Sequence, residues 1–239
     1  MVDSLTEEEK TCPVCGMAMV PIGTEVIRRE LEFVPAKYEV TEYVATTYGC
    51  PKCNQTEEPC FIKDEGCLPA LIEKSYATPS LVADILKNKF VLGLPFYRQE
   101  QDLKRSGILV TRASMATWTI LVFQLYFQYL VQFFHRELLK RNFLMTYLVD
   151  GRCSLSNNMS ENSVRPVVVG RKNWLFSDTP DGAKASMGIY TIVEMAKLHG
   201  VDPYKYMKYI LESRPNYITS DEELEKLAPW SDRVQEICR

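Results

Sequence analysis

The chain has 239 residues, of which 46% are hydrophobic and 25% are charged, so its composition is that of an ordinary globular protein. This length suits one large domain or two to three small ones. The net charge of -3 and the pI of about 5.6 exclude the overall basic character that would by itself indicate a nucleic-acid partner, so charge has to be examined locally. The polar, acidic start MVDSLTEEEK predicts no secretory signal.

Four of the eight cysteines form two Cys-x-x-Cys pairs, CPVCG and CPKC. Four thiolates at this spacing are the ligand set of a closed tetrahedral zinc site, whereas disulfides are not expected without a secretory signal. Free thiols and thioredoxin-like redox pairs are the alternatives, but no βαβ pattern surrounds either pair. The pattern predicts structural zinc, in a module over residues 1–60, with the ligands Cys12, Cys15, Cys50 and Cys53.

The stretch between the two cysteine pairs is rich in β-branched and aromatic residues. Side chains of one parity in its second half are Tyr38, Val40, Val44, Thr46 and Tyr48. This two-residue period predicts a strand with one better-buried face. We therefore expect a zinc-ribbon-like antiparallel hairpin closed by the metal, followed by a polar, proline-containing linker over residues 61–77.

Residues 78–145 have helical patterns. Thr78 followed by proline marks a helix start, and the Gly-Leu-Pro stretch at 93–95 ends that helix. PFYRQEQDLKRSG predicts a second helix closed by Gly107, and Thr111 caps a third. Two short helices, a glycine-containing turn and a third helix are typical of a helix-turn-helix.

The most apolar stretch, residues 115–134, is long enough to raise the question of a membrane span. However, Gln124, Gln128 and Gln132 recur every four residues and form a polar stripe on one helical face. The pattern therefore favours a long amphipathic helix packed against protein over a transmembrane helix.

Basic residues outnumber acidic ones between residues 84 and 112. Six basic residues against three acidic ones give a local excess of +3, which can contact DNA phosphates. The alternative is an ordinary solvated helical face. The side chains predicted to meet DNA in this region are Lys104, Arg105, Thr111, Arg112, Ser114 and Thr117.

Glu161 stands in the polar segment SLSNNMSENSVRP and allows two interpretations. Asn158 precedes it by three residues, so Glu161 fits the second position of a capping box. Alternatively it is a divalent-metal ligand, because Arg165 follows one turn later and Arg171 and Lys172 come shortly after as phosphate-binding groups. Pro166 predicts the end of this short helix, and VVVGRKNWLF an extended segment.

The remaining segments predict helices. DGAKASMGIYTIVEMAKLHG predicts a helix ending at Gly200, and Asp202 with Pro203 predicts the start of the next. The acidic stretch 216–239 predicts a last short helix or a loose tail. The chain has two histidines, both in helical segments, and no Gly-rich phosphate loop, which argues against a histidine-based hydrolase and a nucleotide-binding fold.

In combination, these motifs closely resemble the bacterial transposases of insertion sequence family 66, which are DDE recombinases with an RNase H-like core. The resemblance covers the chain from Cys12 to about Trp230, and NNMSENSVRPVVVGRKNWLFSDTP is its most specific part. It implies a zinc module, a helix-turn-helix that binds element ends, and a catalytic domain in which two aspartates and a glutamate hold two Mg²⁺ ions. The glutamate corresponds to Glu161.

The sequence departs from this family pattern after FFHRELLKRNFLM. In the family, a strand with the first aspartate and a long stretch with the second follow, before a segment like YLVDGR. Here Met145 is followed directly by Thr146-Tyr147-Leu148. Asp150, Asp178 and Asp181 lie in turn-like settings that do not suit a rebuilt site. The expectation is an internally deleted, catalytically inert protein in which Glu161 is vestigial and Mg²⁺ is not bound productively.

Together the observations predict an α+β, multi-module chain. The predicted modules are a zinc-binding hairpin (1–60), a linker (61–77), a helix-turn-helix region with a long amphipathic helix (78–145), a mostly helical catalytic remnant (146–215) and an acidic tail (216–239). The predicted role is binding of element-end DNA in transposition. A stand-alone zinc-dependent regulator of full-length transposase, or a decaying gene product without activity, are the alternatives.

The expected partners and location follow from the family and from the deletion. We expect a bacterial, cytoplasmic, nucleoid-associated protein with DNA as its partner and no membrane partner. Loss of the central sheet predicts exposed aromatic surface on residues 115–134, and hence association with itself or with full-length transposase.

Overall fold

The computed structural model describes residues 17, 38–44, 46–49, 61–63, 69–140, 165, 168 and 179–239. The chain divides into two compact units, Met1–Gly66 and Cys67–Arg239. The described part of the first unit contains a pair of short antiparallel strands, β1 (Thr47–Gly49) and β2 (Phe61–Lys63). Tyr48 lies opposite Ile62 in this pair.

The predicted strand with a buried face over residues 38–48 is wrong for most of its length. Residues 38–44 have no regular structure, and Val40 and Val44 are 93% and 86% exposed. Alternating β-branched residues favour a strand only where a neighbour covers one face, and Val40 and Val44 are both open to solvent. The partner of β1 lies within residues 61–77, the segment that composition predicts to be a linker.

The described part of the second unit is helical. Its elements, in chain order, are α1 (Pro79–Phe90), α2 (Phe96–Arg105), α3 (Arg112–Val122), a π-helical turn (Phe123–Phe127), α4 (Gln128–Lys140), α5 (Pro180–Leu198), α6 (Pro203–Ser213), α7 (Asp221–Lys226) and α8 (Asp232–Cys238).

The predicted helix boundaries are confirmed where local capping chemistry sets them. The side chains of Thr78, Thr111 and Asp202 each accept a hydrogen bond from a backbone N–H in the first turn of α1, α3 and α6, at 3.2, 3.1 and 2.8 Å. Gly107 and Gly200 follow the ends of α2 and α5 with φ of +80° and +68°. A left-handed residue after a helix is cheapest for glycine, which lacks a Cβ.

One hydrophobic core joins the helices on both sides of residues 141–178. α1 packs most extensively on α6, and α5 packs on α3, on the π-helical turn and on α6. Residues Leu71, Ile72 and Ala77, which precede α1, are also buried in this core. Residues 216–239 form α7 and α8 rather than a loose tail, and the carbonyl of Cys238 accepts a hydrogen bond from the backbone N–H of Asp202.

The expectation of exposed aromatic surface on residues 115–134 is wrong. Trp118, Phe123, Phe127, Phe133 and Phe134 are all less than 8% exposed. The C-terminal helices and the segment after α7 cover them. Phe123 lies against Gly188 of α5, and the ring of Trp230 packs 5.3 Å from that of Phe134. The described helices therefore bury these aromatic side chains within their own core.

The long helix has a polar stripe, as predicted, but it is not a continuous α-helix. Gln124 and Gln132 are exposed, and Gln128 is half-buried. Between α3 and α4 the backbone N–H of Gln128 donates to the carbonyl of Phe123, five residues earlier, in one π-helical turn. Over the described ranges, no helix combines the length and apolar character that crossing a membrane requires.

Two isolated residues of the segment between α4 and α5 are described. Arg165 and Val168 are both helical and exposed. The predicted extended conformation is therefore wrong at Val168, beyond the proline that was expected to stop the helix. Glu161 and the rest of its segment lie outside the described residues, as do the four cysteines of the predicted zinc site.

Candidate nucleic-acid interface

α2, a six-residue turn and α3 form the candidate interface. Gly107 is the second residue of this turn; its N–H donates to the carbonyl of Lys104 at 3.1 Å, and the N–H of Ile108 donates to the carbonyl of Leu103 at 2.9 Å. The side chain of Val110 is only 2% exposed, so it holds the turn against the hydrophobic core. α1, α2 and α3 contact one another, so the two helices that flank the turn rest on a third.

A buried glutamine fixes the start of α2 against α1. The side-chain amide of Gln99, 4% exposed, donates to the carbonyl of Leu94 at 2.9 Å and to that of Ile85 at 3.3 Å. Both carbonyls belong to the α1 segment or to the break after it. Because a buried polar group needs such partners, Gln99 holds α2 in one orientation. Nothing in the sequence distinguishes Gln99 from Gln101 on the same helix, which is only half-buried.

The predicted basic contacts cluster around the turn. Lys104 and Arg105 occupy the last turn of α2, and Arg112 is the first residue of α3; all three side chains are exposed. Thr117 is exposed one to two turns further along α3. The structure thus leaves four of the six side chains predicted in this region exposed, and three of them lie at the ends of the two helices that flank the turn.

The other two predicted side chains are engaged within the protein. The Thr111 hydroxyl accepts from the backbone N–H of Ser114, and the hydroxyls of Thr111 and Ser114 lie 3.0 Å apart. Ser114 is only half-exposed. These two hydroxyls therefore form the cap of α3, and their first role is to hold its starting turn.

Two lysines of the local basic excess also turn toward protein. Lys87 Nζ lies 2.7 Å from Asp84 Oδ1, and Lys89 Nζ lies 3.8 Å from the centre of the Phe96 ring. Burial lowers the pKa of the Lys89 amine to about 8. The three-residue spacing of Asp84 and Lys87 on a helix could have revealed that pair. The position of Lys89 could not be foreseen, because Phe96 reaches it across the break after α1.

An acidic side chain lies within this basic edge. Glu100 Oε1 accepts a hydrogen bond from the backbone N–H of Arg112 at 3.2 Å and so joins α2 directly to the first residue of α3. The amino-acid pattern predicts no role for Glu100 beyond its charge, since the contact depends on the path of the turn.

Of the predicted metal ligands and the remaining phosphate-binding residues, Arg165 is the one that the described residues include. Cys12, Cys15, Cys50, Cys53, Glu161, Arg171 and Lys172 lie outside the described residues, and Arg165 is exposed. In the described part of the chain, no three His, Cys, Asp or Glu side chains are placed to hold a metal. The four thiolates fit zinc by their chemistry. A two-Mg²⁺ site would need several carboxylates from separate strands.

Comparison with known protein families matches most of the chain. Residues 9–54 match the zinc-finger binding domain of transposase IS66. Residues 74–146 and 140–185 match the model Transposase IS66 family in two segments, and residues 191–230 match the IS66 C-terminal element.

Curated relatives agree over a shorter stretch. The uncharacterized proteins y4qI and y4jD of Sinorhizobium fredii (strain NBRC 101917 / NGR234) are 32% and 30% identical to the chain over 94 residues. These residues are 39% of this chain but only 17% and 18% of the relatives, so the match spans less than a fifth of their length. No solved structure matches. The three family matches, which follow one another in the family's own order along the chain, show that it belongs to the IS66 family of transposases.

Proposed function

We propose that this chain binds DNA at the ends of its insertion sequence through α2, the turn and α3, and that it does not itself cut or join DNA strands. The observation that carries the DNA-binding part is the clustering of Lys104, Arg105 and Arg112 at the facing ends of two helices. All three are exposed, and in the described residues none has a carboxylate side chain as an ion-pair partner.

The arrangement suits a helix-turn-helix. In such motifs the second helix enters the major groove with its first residues while the preceding helix lies across the backbone. Arg112 and Thr117 on α3 would then face base edges, and Lys104 and Arg105 at the end of α2 would contact phosphates. The zinc-finger domain at residues 9–54 would add a second contact, with Cys12, Cys15, Cys50 and Cys53 as the zinc ligands that hold its fold.

Two features support the loss of strand-transfer activity. The family model matches in two segments that meet at residues 140–146, as expected if the interior of the nuclease core is missing. The resemblance assigns the third catalytic carboxylate to Glu161 but leaves no counterparts for the two aspartates. Without them, two metal ions cannot be bridged across a phosphate.

Binding is tested with the full chain and fluorescein-labelled duplexes that carry the terminal inverted repeat of the element. Fluorescence anisotropy over a range of salt concentrations gives the number of phosphate contacts, because each neutralised phosphate adds about 0.9 to the slope of log K against log salt. Arg105→Gln should lower that slope by about 1 for all duplexes. Lys226→Gln, an exposed charge on α7, is the matched control and should leave it unchanged.

Cleavage is tested with the same duplexes labelled at one end, in Mg²⁺ or Mn²⁺. We expect no cleaved or joined product. Strand cleavage that Glu161→Ala abolishes would show that the chain has a working active site, and would refute the proposed inactivity while leaving the DNA-binding part intact.

A second function, regulation of intact family members, is favoured by one structural observation. The helices on both sides of residues 141–178 close a single core in which the aromatic side chains of the long helix are buried. A unit that closes its own core in this way can occupy element ends without a nuclease domain. Adding the chain to a transposition assay with an intact transposase should then reduce product formation, and the Arg105→Gln variant should reduce it less.

A further inference from the structure

Glu100 is the one acidic side chain shown to join the two helices of the candidate interface. It lies one helical turn before Lys104 on α2, so the two share a face of that helix. Its carboxylate also accepts a hydrogen bond from the backbone N–H of Arg112, at 3.2 Å. Glu100 is half-buried, whereas the three basic side chains around the turn are exposed.

This contact gives Glu100 two separable physical effects. As a hydrogen-bond acceptor it satisfies one of the N–H groups that the first turn of a helix leaves without an intrahelical partner, and it thereby fixes the start of α3 against α2. As a negative charge it opposes the approach of phosphate to Arg112 and Lys104, because like charges repel within the distance that salt does not screen.

We propose that Glu100 is a positioning residue that also limits the affinity of this surface for DNA of any sequence. Its hydrogen bond holds α3 in the orientation that reads element ends, and its charge keeps binding to unrelated duplexes weak. This inference rests on the proposed DNA-binding function and concerns the selectivity of that same surface. Contacts with phosphates raise the affinity for DNA of every sequence equally. On a surface whose affinity is mostly electrostatic, a negative charge therefore weakens non-specific binding.

The two effects can be separated by substitution. Glu100→Gln keeps the length of the side chain and an acceptor oxygen but removes the charge. Glu100→Ala removes both. Asp102→Asn is the matched control, because Asp102 is an exposed acid on the same helix. This substitution removes one charge and leaves the hydrogen bond between Glu100 and Arg112 in place. Anisotropy is measured for an element-end duplex and a scrambled duplex at about 0.15 M salt, where the Debye length is about 8 Å. Thermal unfolding of each variant is recorded in parallel.

We expect Glu100→Gln to tighten binding of both duplexes by about three-fold, the size of the repulsion between one unit charge and a phosphate about 6 Å away in water. The melting temperature should fall slightly, because a negative charge beside the first turn of a helix stabilises that helix. Asp102→Asn should change binding less. Glu100→Ala should tighten the scrambled duplex to a similar extent but lose part of the preference for the element end. Equal effects of Glu100→Gln and Asp102→Asn, or no effect of Glu100→Gln, would overturn the inference.

The result also distinguishes this inference from the function on which it rests. If Arg105→Gln weakens binding while Glu100→Gln changes nothing, only the role of Glu100 is refuted. If the wild-type chain binds neither duplex, or if Arg105→Gln has no effect, the DNA-binding function itself is refuted, and the role of Glu100 with it.

Discussion

Gly188→Ala tests whether α5 and the π-helical turn fit as closely as the structure shows. A Cβ added at Gly188 would lie 1.9 Å from Cε2 of Phe123, 2.6 Å from Cζ and 2.9 Å from Cδ2. Non-bonded carbons rest at about 3.5–4.0 Å, so the ring would have to move by about 1.6 Å or more. Phe123 is 4% exposed and has no open space to enter.

The expected net effect is a loss of about 2 kcal/mol of folding free energy. Overpacking a core costs about 1–3 kcal/mol, and a 1.9 Å contact with a ring atom places this substitution at the upper end of that range. Replacing a helical glycine by alanine recovers about 1 kcal/mol, which leaves the net loss of about 2 kcal/mol. For a protein of this size the melting temperature should fall by about 4–8 °C, which circular dichroism measures directly.

Two further variants make this prediction specific. Gly182 lies on the same helix, and a Cβ added there would meet Thr179 Oγ1 at 3.1 Å and a methyl group of Ile120 at 4.0 Å. Gly182→Ala should therefore change the free energy of unfolding by less than about 1 kcal/mol. In a Phe123→Ala background the clash is gone, so Gly188→Ala should cost nothing further. A Gly188→Ala protein as stable as the wild type would refute the packing of α5 on Phe123.

Three other predictions concern a lysine, a helix cap and the metal. Burial lowers the pKa of Lys89 to about 8 from the 10.5 of an unfolded chain, so between these values the unfolded state binds more protons and stability rises with pH. Lys89→Met should therefore be more stable than the wild type by about 1 kcal/mol at pH 7, a figure that already allows for partial exposure and for the lost contact with the ring. This gain should shrink toward pH 10. An identical gain at both pH values would contradict the burial of a charged amine. Thr111→Ala should lower the free energy of unfolding, measured by chemical denaturation, by about 1 kcal/mol. Thr111→Ser keeps the hydroxyl and should lower it by less than half of that. Equal losses for the two variants would contradict the capping role of the hydroxyl. Elemental analysis should find one zinc per chain in the wild type and none in Cys12→Ser. Removal of the metal by a chelator should unfold the predicted zinc-binding module. A metal content that survives the substitution would argue for other ligands.

Helix starts and ends were predictable from sequence because their causes are local. Thr78 and Thr111 each supply an oxygen to a backbone N–H three residues later, and Gly107 adopts a backbone conformation that other residues avoid. Such short-range requirements leave a mark in the order of the residues. The family itself was also recognisable, since its motifs are specific in composition and spacing.

What the sequence could not predict depends on contacts between distant segments. The sequence alone gives no reason for a glycine at position 188 inside a helix, and the reason is visible only once Phe123 lies against it. Val40 and Val44 alternate as in a strand but remain exposed because no surface covers them. At the interface, the charge count treated Lys89 and Arg112 alike, whereas one packs on an aromatic ring and the other faces solvent.

The shared core couples the stability of the candidate interface to that of the C-terminal helices. α1 contacts α2 through Gln99 and packs with its other face on α6, and the ring of Phe90 lies 5.0 Å from that of Tyr190 on α5. A ligand that binds only the folded form raises the stability of everything that unfolds with its site. DNA held at α2 and α3 should therefore slow proteolysis at the fully buried Tyr206 and Leu211 of α6, which a protease reaches only when the core opens, although the DNA touches neither residue.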